Sequence, residues 1–489
     1  MSEGISRKEF ENLEPSEVWR HFETLCSIPR ASKKEAALRQ HLEGWAKGLG
    51  LKALIDAAGN LIIRKPASPG REGVPGVILQ AHIDMVCQKN SASSHDFSTD
   101  PIIPVRRDGW LVAEETTLGA DNGIGVALIL AVLADRQIEH GPIEALLTVD
   151  EEAGMGGARG LAPDVLNGQL MLNLDTEDWG EFFMGCAGGC DLDVRSEGSV
   201  EAIPAGWTGL KLSLRGLRGG HSGVDIHEER GNAIKLLVRT LMAIGDAGID
   251  CRLGRLFGGT ARNALPREAF AELAVPSGDV ERLASIVANS EATFRDELRS
   301  VDEALSLAVA PVKITEVMGR NEQQRWLGLL HAAPHGVHRI SRLVPGVVET
   351  SNNLGMVDLT ARGGTCNFLV RSLVNSGGDA LVAEIQSLCA LAGLQSVAGG
   401  AYPGWAPNPD SQLLALCQEV FRREFDAESR VQVIHAGLEC GLISARYPQL
   451  DIVSFGPTIR GAHAPGESVN IASVGDCWRL LKAILAAIA

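Results

Sequence analysis

The sequence predicts an α/β protein in which one discontinuous domain, built on a mainly parallel sheet, is interrupted by an inserted α+β domain. Short apolar runs alternate with helical patterns over the first 190 residues, the texture changes near residue 200, and the first texture returns near residue 400. Such alternation is typical of parallel sheets covered by helices. A chain of 489 residues also exceeds one hydrophobic core, which rarely passes about 250–300 residues. We therefore expect the main domain over 1–200 and 400–489, with the inserted domain over 201–399.

The predicted elements come from apolar runs and from apolar residues at helical spacing. In the main domain they are a helix at 35–48, strands at 60–63 and 77–79, a buried helix at 122–134, strands at 145–149 and 171–174, a helix at 411–425, a strand at 451–454 and a helix at 474–488. The segment SEGSVEAIPAGW (196–207) is predicted to be the linker into the inserted domain. The inserted domain is predicted to contain a strand at 210–214 and helices at 232–244, 280–298, 321–332 and 379–392.

The composition disfavours several classes of partner and location. Hydrophobic residues make up 45% of the chain, enough for packed cores, and the net charge of −16 disfavours nucleic acid and anionic membranes. The longest apolar run, 125–134, is far shorter than the ~20 residues that span a bilayer. The N-terminal MSEGISRKEFENLEP lacks the apolar segment of a signal peptide, and the ten cysteines form no CxxC pair. We therefore expect a cytoplasmic protein with small substrates or cations as partners.

Acidic residues and histidines follow the predicted strands, or begin the helix after a strand, in five short motifs. Because open parallel sheets bind ligands at the carboxyl ends of their strands, these side chains are expected to meet at one edge. Each motif alone has a simpler explanation: Asp121 could be a helix N-cap, and DEE (150–152) a charged loop. All five simpler explanations would have to hold together, so the convergence favours a functional site. The residues are His82 and Asp84 in QAHIDMV, Asp121 in TLGADNGIG, Glu151 and Glu152 in LLTVDEEAGMGG, Asp175 in LMLNLDTED and His463 in SFGPTIRGAHAPGE.

These residue types suit two divalent metal ions about 3.5–4 Å apart, which form a clamp for hydrolysis. Asp121 is predicted to bridge both ions through its two carboxylate oxygens. His82 and Asp175 would complete the ligands of one ion, and His463 and Glu152 those of the other. Imidazole and carboxylate ligands favour zinc, with cobalt or manganese as substitutes.

Two acids next to the ligands are predicted to support the reaction rather than to bind metal. Glu151 could take a proton from the attacking water and pass it to the leaving amine, which is general acid–base catalysis. Asp84 could accept a hydrogen bond from His82 and so fix the tautomer of its imidazole ring. The sequence therefore predicts a metal-dependent hydrolase with Glu151 and Asp84 as its catalytic residues.

The stretches AHIDM, LGADNGIG, DEEAGMGGA, NLDTED and GAHAPGE resemble those of the co-catalytic zinc peptidase family, which includes carboxypeptidase G, carnosinases, aminoacylases and bacterial dipeptidases. Within that family the chain resembles more closely the bacterial aminoacyl-histidine dipeptidases, also called Xaa-His or cytosol non-specific dipeptidases. The closer likeness is carried by MGCAGG (184–189), GLRGGHSG (216–223), YPGW (402–405) and HAGLECG (435–441). The resemblance extends over nearly the whole chain.

The resemblance implies the same five metal ligands and the same two catalytic acids. It also implies a cis peptide bond after Asp121 and an inserted domain that acts as a lid. In that lid His221 would stabilise the developing oxyanion, and Arg371, with Asn263 nearby, would hold the carboxylate of the substrate. The implied activity is hydrolysis of unblocked dipeptides, including Xaa-His dipeptides, and a homodimer is compatible with it.

Other functions stay open at this point. An N-acyl amino-acid deacylase would use an identical metal site, so the ligands do not distinguish it from a dipeptidase. A thiol hydrolase would use Cys440 with His435, although HAGLECG has no known nucleophile geometry. A dinucleotide-binding protein is disfavoured because GMGGARG (154–160) has arginine where the third glycine should fall. A non-catalytic binding protein is disfavoured because Glu151 and all five ligands are present.

Overall fold

The computed structural model describes residues 8–489; the first seven residues of the charged N-terminal segment lie outside the described chain. Helices and strands are numbered separately along the chain. The α-helices are α1 (Ser16–Ser27), α2 (Ala36–Gly48), α3 (Ala120–Ala134), α4 (Gly156–Gly160), α5 (Ala233–Asp246), α6 (Val280–Glu297), α7 (Arg320–Ala332), α8 (Asn375–Leu391), α9 (Gln412–Phe425), α10 (Glu439–Arg446) and α11 (Ile471–Ala487). None of these described helices is long and apolar enough to cross a bilayer.

The strands are mostly short, and the longer ones fall in the middle of the chain. They are β1 (Lys52–Ile55), β2 (Leu61–Lys65), β3 (Val77–His82), β4 (Val105–Arg107), β5 (Trp110–Val112), β6 (Ile143–Thr148), β7 (Leu170–Asn173), β8 (Glu181–Cys186), β9 (Gly188–Glu197), β10 (Val200–Glu201), β11 (Trp207–Arg215), β12 (Arg252–Gly258), β13 (Ala269–Pro276), β14 (Ser306–Pro311), β15 (Val317–Met318), β16 (Gly336–Ile340), β17 (Val348–Thr360), β18 (Gly363–Ser372), β19 (Gln395–Tyr402), β20 (Arg430–Ile434), β21 (Asp451–Ser454), β22 (Ile459–Arg460) and β23 (Ser468–Asn470). Short 3-10 turns occur at Ile226–Glu228 and Ser277–Asp279.

The described chain divides into two compact units. The first contains the residues up to 185 together with 407–433 and 438–489. The second contains 186–406 and the four residues 434–437. The chain therefore leaves the first unit, returns to it, and then supplies one further short segment to the second.

The segment predicted as a linker, 196–207, lies within the second unit rather than before it. It ends β9, forms β10 and begins β11. Gly198, Ser199 and Gly206 of this segment lie in the connections between these strands. A composition suited to a flexible linker is thus equally suited to tight connections within a sheet.

The first unit is built on an eight-stranded sheet with the order β1-β2-β6-β3-β7-β21-β8-β20. The adjacent strands β6, β3, β7 and β21 are parallel, whereas β1, β2 and β8 pair antiparallel with their neighbours. The predicted α/β class is confirmed, and the antiparallel strands make the sheet as a whole mixed. A smaller sheet of β22, β23, β5 and β4 belongs to the same unit.

The parallel strands end together because their hydrogen-bond register aligns their last residues. His82, at the end of β3, pairs with Thr148 at the end of β6. Asn173, at the end of β7, pairs with Gln80 on one side and Ser454 on the other. The strands β3 and β6 are buried along their whole length, as is typical of parallel strands covered on both faces. The residues that follow these strands therefore leave the sheet at one common edge.

The second unit is built on an antiparallel sheet with the order β14-β11-β13-β12-β17-β18-β9-β19, and β16 pairs with β17. Helices α5 to α8 contribute to one hydrophobic core with this sheet. Phe294 of α6 and Trp326 of α7 are among the largest side chains in that core. This arrangement of helices packed on an antiparallel sheet is the α+β class predicted for the inserted part of the chain.

Candidate metal centre

The structure brings the five predicted metal ligands to the carboxyl edge of the first unit's sheet. His82 ends β3, Asp121 is the second residue of α3, and Glu152 lies in the turn after β6. Asp175 follows β7 by two residues, and His463 lies in the turn between β22 and β23. The backbone of α3 departs from helical dihedral angles at Asp121. The peptide bond that follows Asp121 is cis, as the resemblance implied.

The five side chains form two groups that share Asp121. Nε2 of His82 lies 3.2 Å from Oδ1 of Asp121 and 3.3 Å from Oδ1 of Asp175. Nε2 of His463 lies 3.1 Å from Oδ2 of Asp121 and 3.1 Å from Oε2 of Glu152. The two carboxylate oxygens of Asp121 therefore face different histidines, which is the arrangement expected of a carboxylate that bridges two ions.

Acidic side chains are crowded and withdrawn from water at this edge. Burial and neighbouring carboxylates raise the pKa of Asp175 to about 6, and they raise that of Glu177 to about 8. Burial likewise raises the pKa of Glu151 well above its ordinary value. Hydrogen bonds to two carboxylates raise the pKa of His463 to about 11, although burial opposes this shift. Such an excess of buried negative charge is costly unless cations compensate it.

The carboxylate of Asp84 lies beside the imidazole ring of His82. Its Oδ1 lies 3.4 Å from Nδ1 of His82. The same carboxylate accepts hydrogen bonds from Oγ of Ser32 at 2.8 Å and from the backbone N–H groups of Glu151 and Glu152 at 3.1 and 3.2 Å. Although burial opposes ionisation, the contacts with His82, Ser32 and these N–H groups lower the pKa of Asp84 to about 2. An ionised carboxylate this close to Nδ1 is compatible with the predicted role of Asp84, in which Nδ1 carries the proton and the Nε2 lone pair of His82 is available to a ligand.

The donor set fits divalent cations. Within the described chain, the ion pairs of Asp121, Asp175 and Glu152 involve only the two histidines. Oε1 of Glu152 is buried without a hydrogen-bond partner. The ligand atoms of each group lie within 4.8 Å of one another, and each group offers three of them. Three protein ligands for each ion would leave further coordination positions open, as catalytic sites require.

The three predicted substrate-binding residues lie in the second unit. His221 and Asn263 belong to neighbouring loops, because the N–H of Ser222 donates to the carbonyl oxygen of Asn263 over 2.8 Å. The side chain of Asn263 is exposed. Arg371, in β18, is 5% exposed and donates from Nη1 to the hydroxyl of Tyr402 over 3.0 Å. Its Nε is buried without a hydrogen-bond partner, which leaves a donor available to an anion.

His221 is held as a neutral imidazole with its proton on Nε2. Its Nδ1 accepts hydrogen bonds from the backbone N–H groups of Gly223 and Val224 at 3.2 and 3.0 Å. Burial, and then the charge of Arg371, lowers the pKa of His221 to about 4. The Nε2–H group is therefore a neutral hydrogen-bond donor, which is a suitable partner for a developing oxyanion.

Most of the sequence, including the C-terminal helix α11, matches the model of a known family. The model of peptidase family M20/M25/M40 matches residues 78–487, a range that includes all five predicted ligands. This chain belongs to that family. Membership implies divalent metal ions as cofactors, in agreement with the clusters of potential ligands around Asp121.

Two relatives resemble this M20/M25/M40 peptidase over nearly its full length. It is 46% identical over 478 residues to the cytosol non-specific dipeptidase of Escherichia coli (strain K12), with 98% of each chain covered. The crystal structure of aminoacylhistidine dipeptidase from Vibrio alginolyticus matches with a TM-score of 0.92 at 46% identity, covering 100% of this chain and 99% of that one. The resemblance predicted from sequence is thereby confirmed. An aminopeptidase from Bacillus cereus, at 16% identity and a TM-score of 0.57 over 97% of this chain and 99% of its own, shares the fold.

Several buried charged residues of this M20/M25/M40 peptidase have no role in the sequence-based predictions. Arg30, Glu439 and Glu467 are among them. Oε2 of Glu439 accepts hydrogen bonds from Gln80 at 2.7 Å and Thr148 at 2.5 Å, beside the end of β3, and burial raises the pKa of Glu439 to about 8. Glu439 and Glu467 lie in HAGLECG and GAHAPGE, so motif membership was their signal, whereas Arg30 belongs to no motif.

Proposed function

We propose that this M20/M25/M40 peptidase is a dipeptidase that uses two divalent metal ions to hydrolyse unblocked dipeptides, Xaa-His dipeptides among them. The observation that carries the proposal is the position of Asp121, whose two carboxylate oxygens each lie within 3.2 Å of a different histidine. The names of the E. coli and V. alginolyticus relatives, both at 46% identity, support the substrate class. Zinc suits the imidazole and carboxylate ligands, with cobalt or manganese as substitutes.

In this proposal His82 and Asp175 hold one ion, His463 and Glu152 hold the other, and Asp121 binds both. When bound, the two ions supply Lewis acidity that activates water and polarises the scissile carbonyl group. Three carboxylates from the chain offset most of the positive charge, so the occupied site is nearly neutral and its burial costs little.

Glu151 is the proposed general base. Its carboxylate takes a proton from the attacking water and returns it to the nitrogen of the leaving amine. The backbone N–H of Glu151 donates to Oδ1 of Asp84 over 3.1 Å, so the acid that orients His82 also holds the turn that carries the base. The raised pKa of Glu151, caused mainly by burial, suits a group that must both accept and release a proton.

The second unit supplies the proposed substrate-binding groups. Arg371 binds the carboxylate of the dipeptide, with Asn263 assisting, and a guanidinium is well suited to a carboxylate because it can donate two parallel hydrogen bonds. His221 donates its Nε2 proton to the developing oxyanion. Binding energy at the end of the substrate would then be used to orient the scissile bond.

The proposal also covers location and assembly. Small peptides are the proposed partners, and the cytoplasm is the proposed location, supported by the name of the E. coli relative. A homodimer is the proposed assembly. The net charge of −16 supports the absence of nucleic acid and anionic membrane from the partners.

We expect protein prepared without chelator to contain close to two metal equivalents per chain. Removal of the metal by a chelator should abolish dipeptide hydrolysis, and added zinc should restore it. An alkylating agent should leave activity in place, since Cys440 is fully buried and the proposed site contains no cysteine. Elemental analysis together with both inhibitor tests checks this prediction, and active protein without metal would contradict it. The alternative, an N-acyl amino-acid deacylase with the same metals, is distinguished by comparing free dipeptides with N-acetylated amino acids.

We expect Arg371→Met to lower kcat/KM for dipeptides by about 30-fold or more, because loss of a charged partner in a desolvated site typically costs about 2–5 kcal/mol. A dipeptide amide, which lacks the carboxylate, should be a poor substrate for the wild type. Its kcat/KM should change little when Arg371 is replaced. The measurement is kcat/KM for a dipeptide, its amide and the matching tetrapeptide.

Arg252→Met is the matched control for this experiment. Arg252 is also 5% exposed and lies in the second unit, but its guanidinium pairs with Glu201 at 2.7 Å and with the carbonyl oxygen of Met318 at 2.8 Å. The control should lose stability without changing the ratio of dipeptide to amide hydrolysis. Equal wild-type rates on dipeptide, amide and tetrapeptide would show that Arg371 does not select for a free carboxylate.

A further inference from the structure

The carboxylate of Glu467 holds the loop that leads into Asp121. Glu467 is 2% exposed. Its Oε2 accepts hydrogen bonds from the backbone N–H groups of Leu118 and Gly119 at 2.8 and 2.9 Å. Its Oε1 accepts from those of Ala120 and Asp121 at 2.7 and 3.2 Å. One buried carboxylate therefore satisfies four consecutive N–H donors, the last of which belongs to the proposed bridging ligand Asp121, at the N-terminal end of α3 where negative charge is favourable.

The same residue belongs to the turn that carries His463. This turn, residues 461–467, is attached to the segment before the Asp121 loop by backbone hydrogen bonds as well. The N–H of Gly466 donates to the carbonyl oxygen of Ala113 at 2.9 Å, and the N–H of Ala113 donates to that of Glu467 at 3.1 Å. The carboxylate of Glu467 therefore joins the turn that carries His463 to the loop that leads into Asp121.

Arg30 holds the opposite side of the same loop. Its buried guanidinium donates to the carbonyl oxygens of Ile83 and Asp84 at 3.1 and 2.9 Å, and also to that of Gly119. It thereby connects the end of β3, which carries His82, to the Asp121 loop. Gly119 has a φ of 69°, and a Cβ there would lie 2.4 Å from Nη2 of Arg30 and 2.8 Å from the sulfur of Met85, so this position favours glycine.

The two sides of the centre differ in how many other contacts support them. The side chain of His82 is 2% exposed, and the carboxylate of Asp84 lies 3.4 Å from its Nδ1. The side chain of His463 is 53% exposed, and its described contacts are with the ligands Asp121 and Glu152. The alignment of His463 with Asp121 thus depends on the turn that Glu467 anchors, whereas His82 keeps Arg30 and Asp84 as independent supports.

We propose, on the basis of the dinuclear function proposed above, that Glu467 is a positioning residue that sets the spacing between His463 and Asp121. Loss of the Glu467 carboxylate releases the 461–467 turn. It thereby lowers the affinity for the ion held by His463, Glu152 and Asp121. The ion held by His82 and Asp175 is retained, because Arg30 still fixes the Asp121 loop against β3.

The test is Glu467→Gln, which keeps the size of the side chain but replaces one acceptor oxygen by a donor amide and removes the charge. Its matched control is Glu144→Gln. Glu144 is 7% exposed and its carboxylate also accepts two backbone N–H groups, at 2.7 and 2.9 Å, and a hydrogen bond from Arg64 at 2.8 Å. It lies near the start of β6, at the opposite end of that strand from the site.

Full-length protein freed of metal is titrated with Co²⁺, and binding is measured by the visible absorption spectrum and by competition with a chromophoric chelator. We expect the wild type and Glu144→Gln each to bind two equivalents of Co²⁺ per chain. Glu467→Gln should keep one equivalent at wild-type affinity and weaken the other by about 10–100-fold, the usual effect of losing a residue that supports a ligand. The weakened equivalent should be the one that His463→Ala removes, with the same change in the absorption spectrum.

Thermal unfolding of the metal-free variants separates positioning from stability. Glu467→Gln and Glu144→Gln should both lower Tm, and only the former should lose a metal equivalent. If Glu467→Gln does not fold, Glu467→Asp serves in its place, because it keeps the charge but cannot reach all four N–H groups, and the same single equivalent should weaken. Unchanged binding of both equivalents, or equal weakening of both, would overturn the inference. Fewer than two equivalents in the wild type would instead refute the proposed dinuclear function.

Discussion

Replacing Glu151 by glutamine is expected to lower kcat for dipeptide hydrolysis by about 10²–10⁴-fold, the usual contribution of a general acid–base residue. The amide keeps the size of the side chain but cannot accept the proton of the attacking water. KM and metal content should stay near their wild-type values, since Glu151 is not among the proposed ligands. The measurements are steady-state kinetics and elemental analysis on the same preparation.

Asp150→Asn is the control for the Glu151 variant. Asp150 is the preceding acid in the same turn and has a φ of 56°, a left-handed conformation that asparagine tolerates well. We expect turnover close to that of the wild type. If Glu151→Gln retained near-normal turnover, the role of base would pass to another acid, and Glu177, whose pKa burial raises to about 8, would be the first candidate.

Asp121→Ala is expected to be the most damaging change among the five ligands. Its two oxygens lie 3.2 and 3.1 Å from the two histidines, so the substitution removes a ligand from both ions. The affinity for both equivalents should fall by more than the about 10–100-fold typical of residues that only support a ligand. His82→Ala and His463→Ala should each weaken mainly one equivalent.

Metal titration of the three variants, with kcat/KM measured at saturating zinc, checks the role of Asp121. A variant at position 121 that still bound one equivalent as tightly as the wild type would show that Asp121 belongs to one ion only. The bridging assignment would then fail even if both ions were present.

The meeting of the five proposed ligands at one edge could be predicted from sequence because the carboxyl ends of the parallel strands lie side by side. His82 pairs with Thr148 across two strand ends, and Asp175 follows the end of β7 by two residues, so residues distant in sequence reach one edge. Carboxylate and imidazole side chains at such an edge indicate metal binding by their residue types, which can be read from the sequence. The α/β class followed from the same alternation of strands and helices.

The supports of the ligands could not be predicted in the same way. Glu467 and Arg30 act on backbone N–H and C=O groups, and a backbone partner has no residue type that a sequence could reveal. The contacts of Glu439 depend on a register between β3, β6 and α10 that sequence spacing does not give. Similarly, Gly198 and Gly206 suit a linker and a strand connection equally, so the sequence does not distinguish between these two roles for 196–207.

The strand order of the first unit has a consequence for synthesis on the ribosome. β21 lies in the interior of the sheet, between β7 and β8, yet it is translated only after the whole series from β9 to β19. The emerging chain must therefore keep a vacant strand position next to β7 while the second unit is being made. His463 is translated later still, so a nascent chain that has completed β21 still lacks one of the five proposed metal ligands.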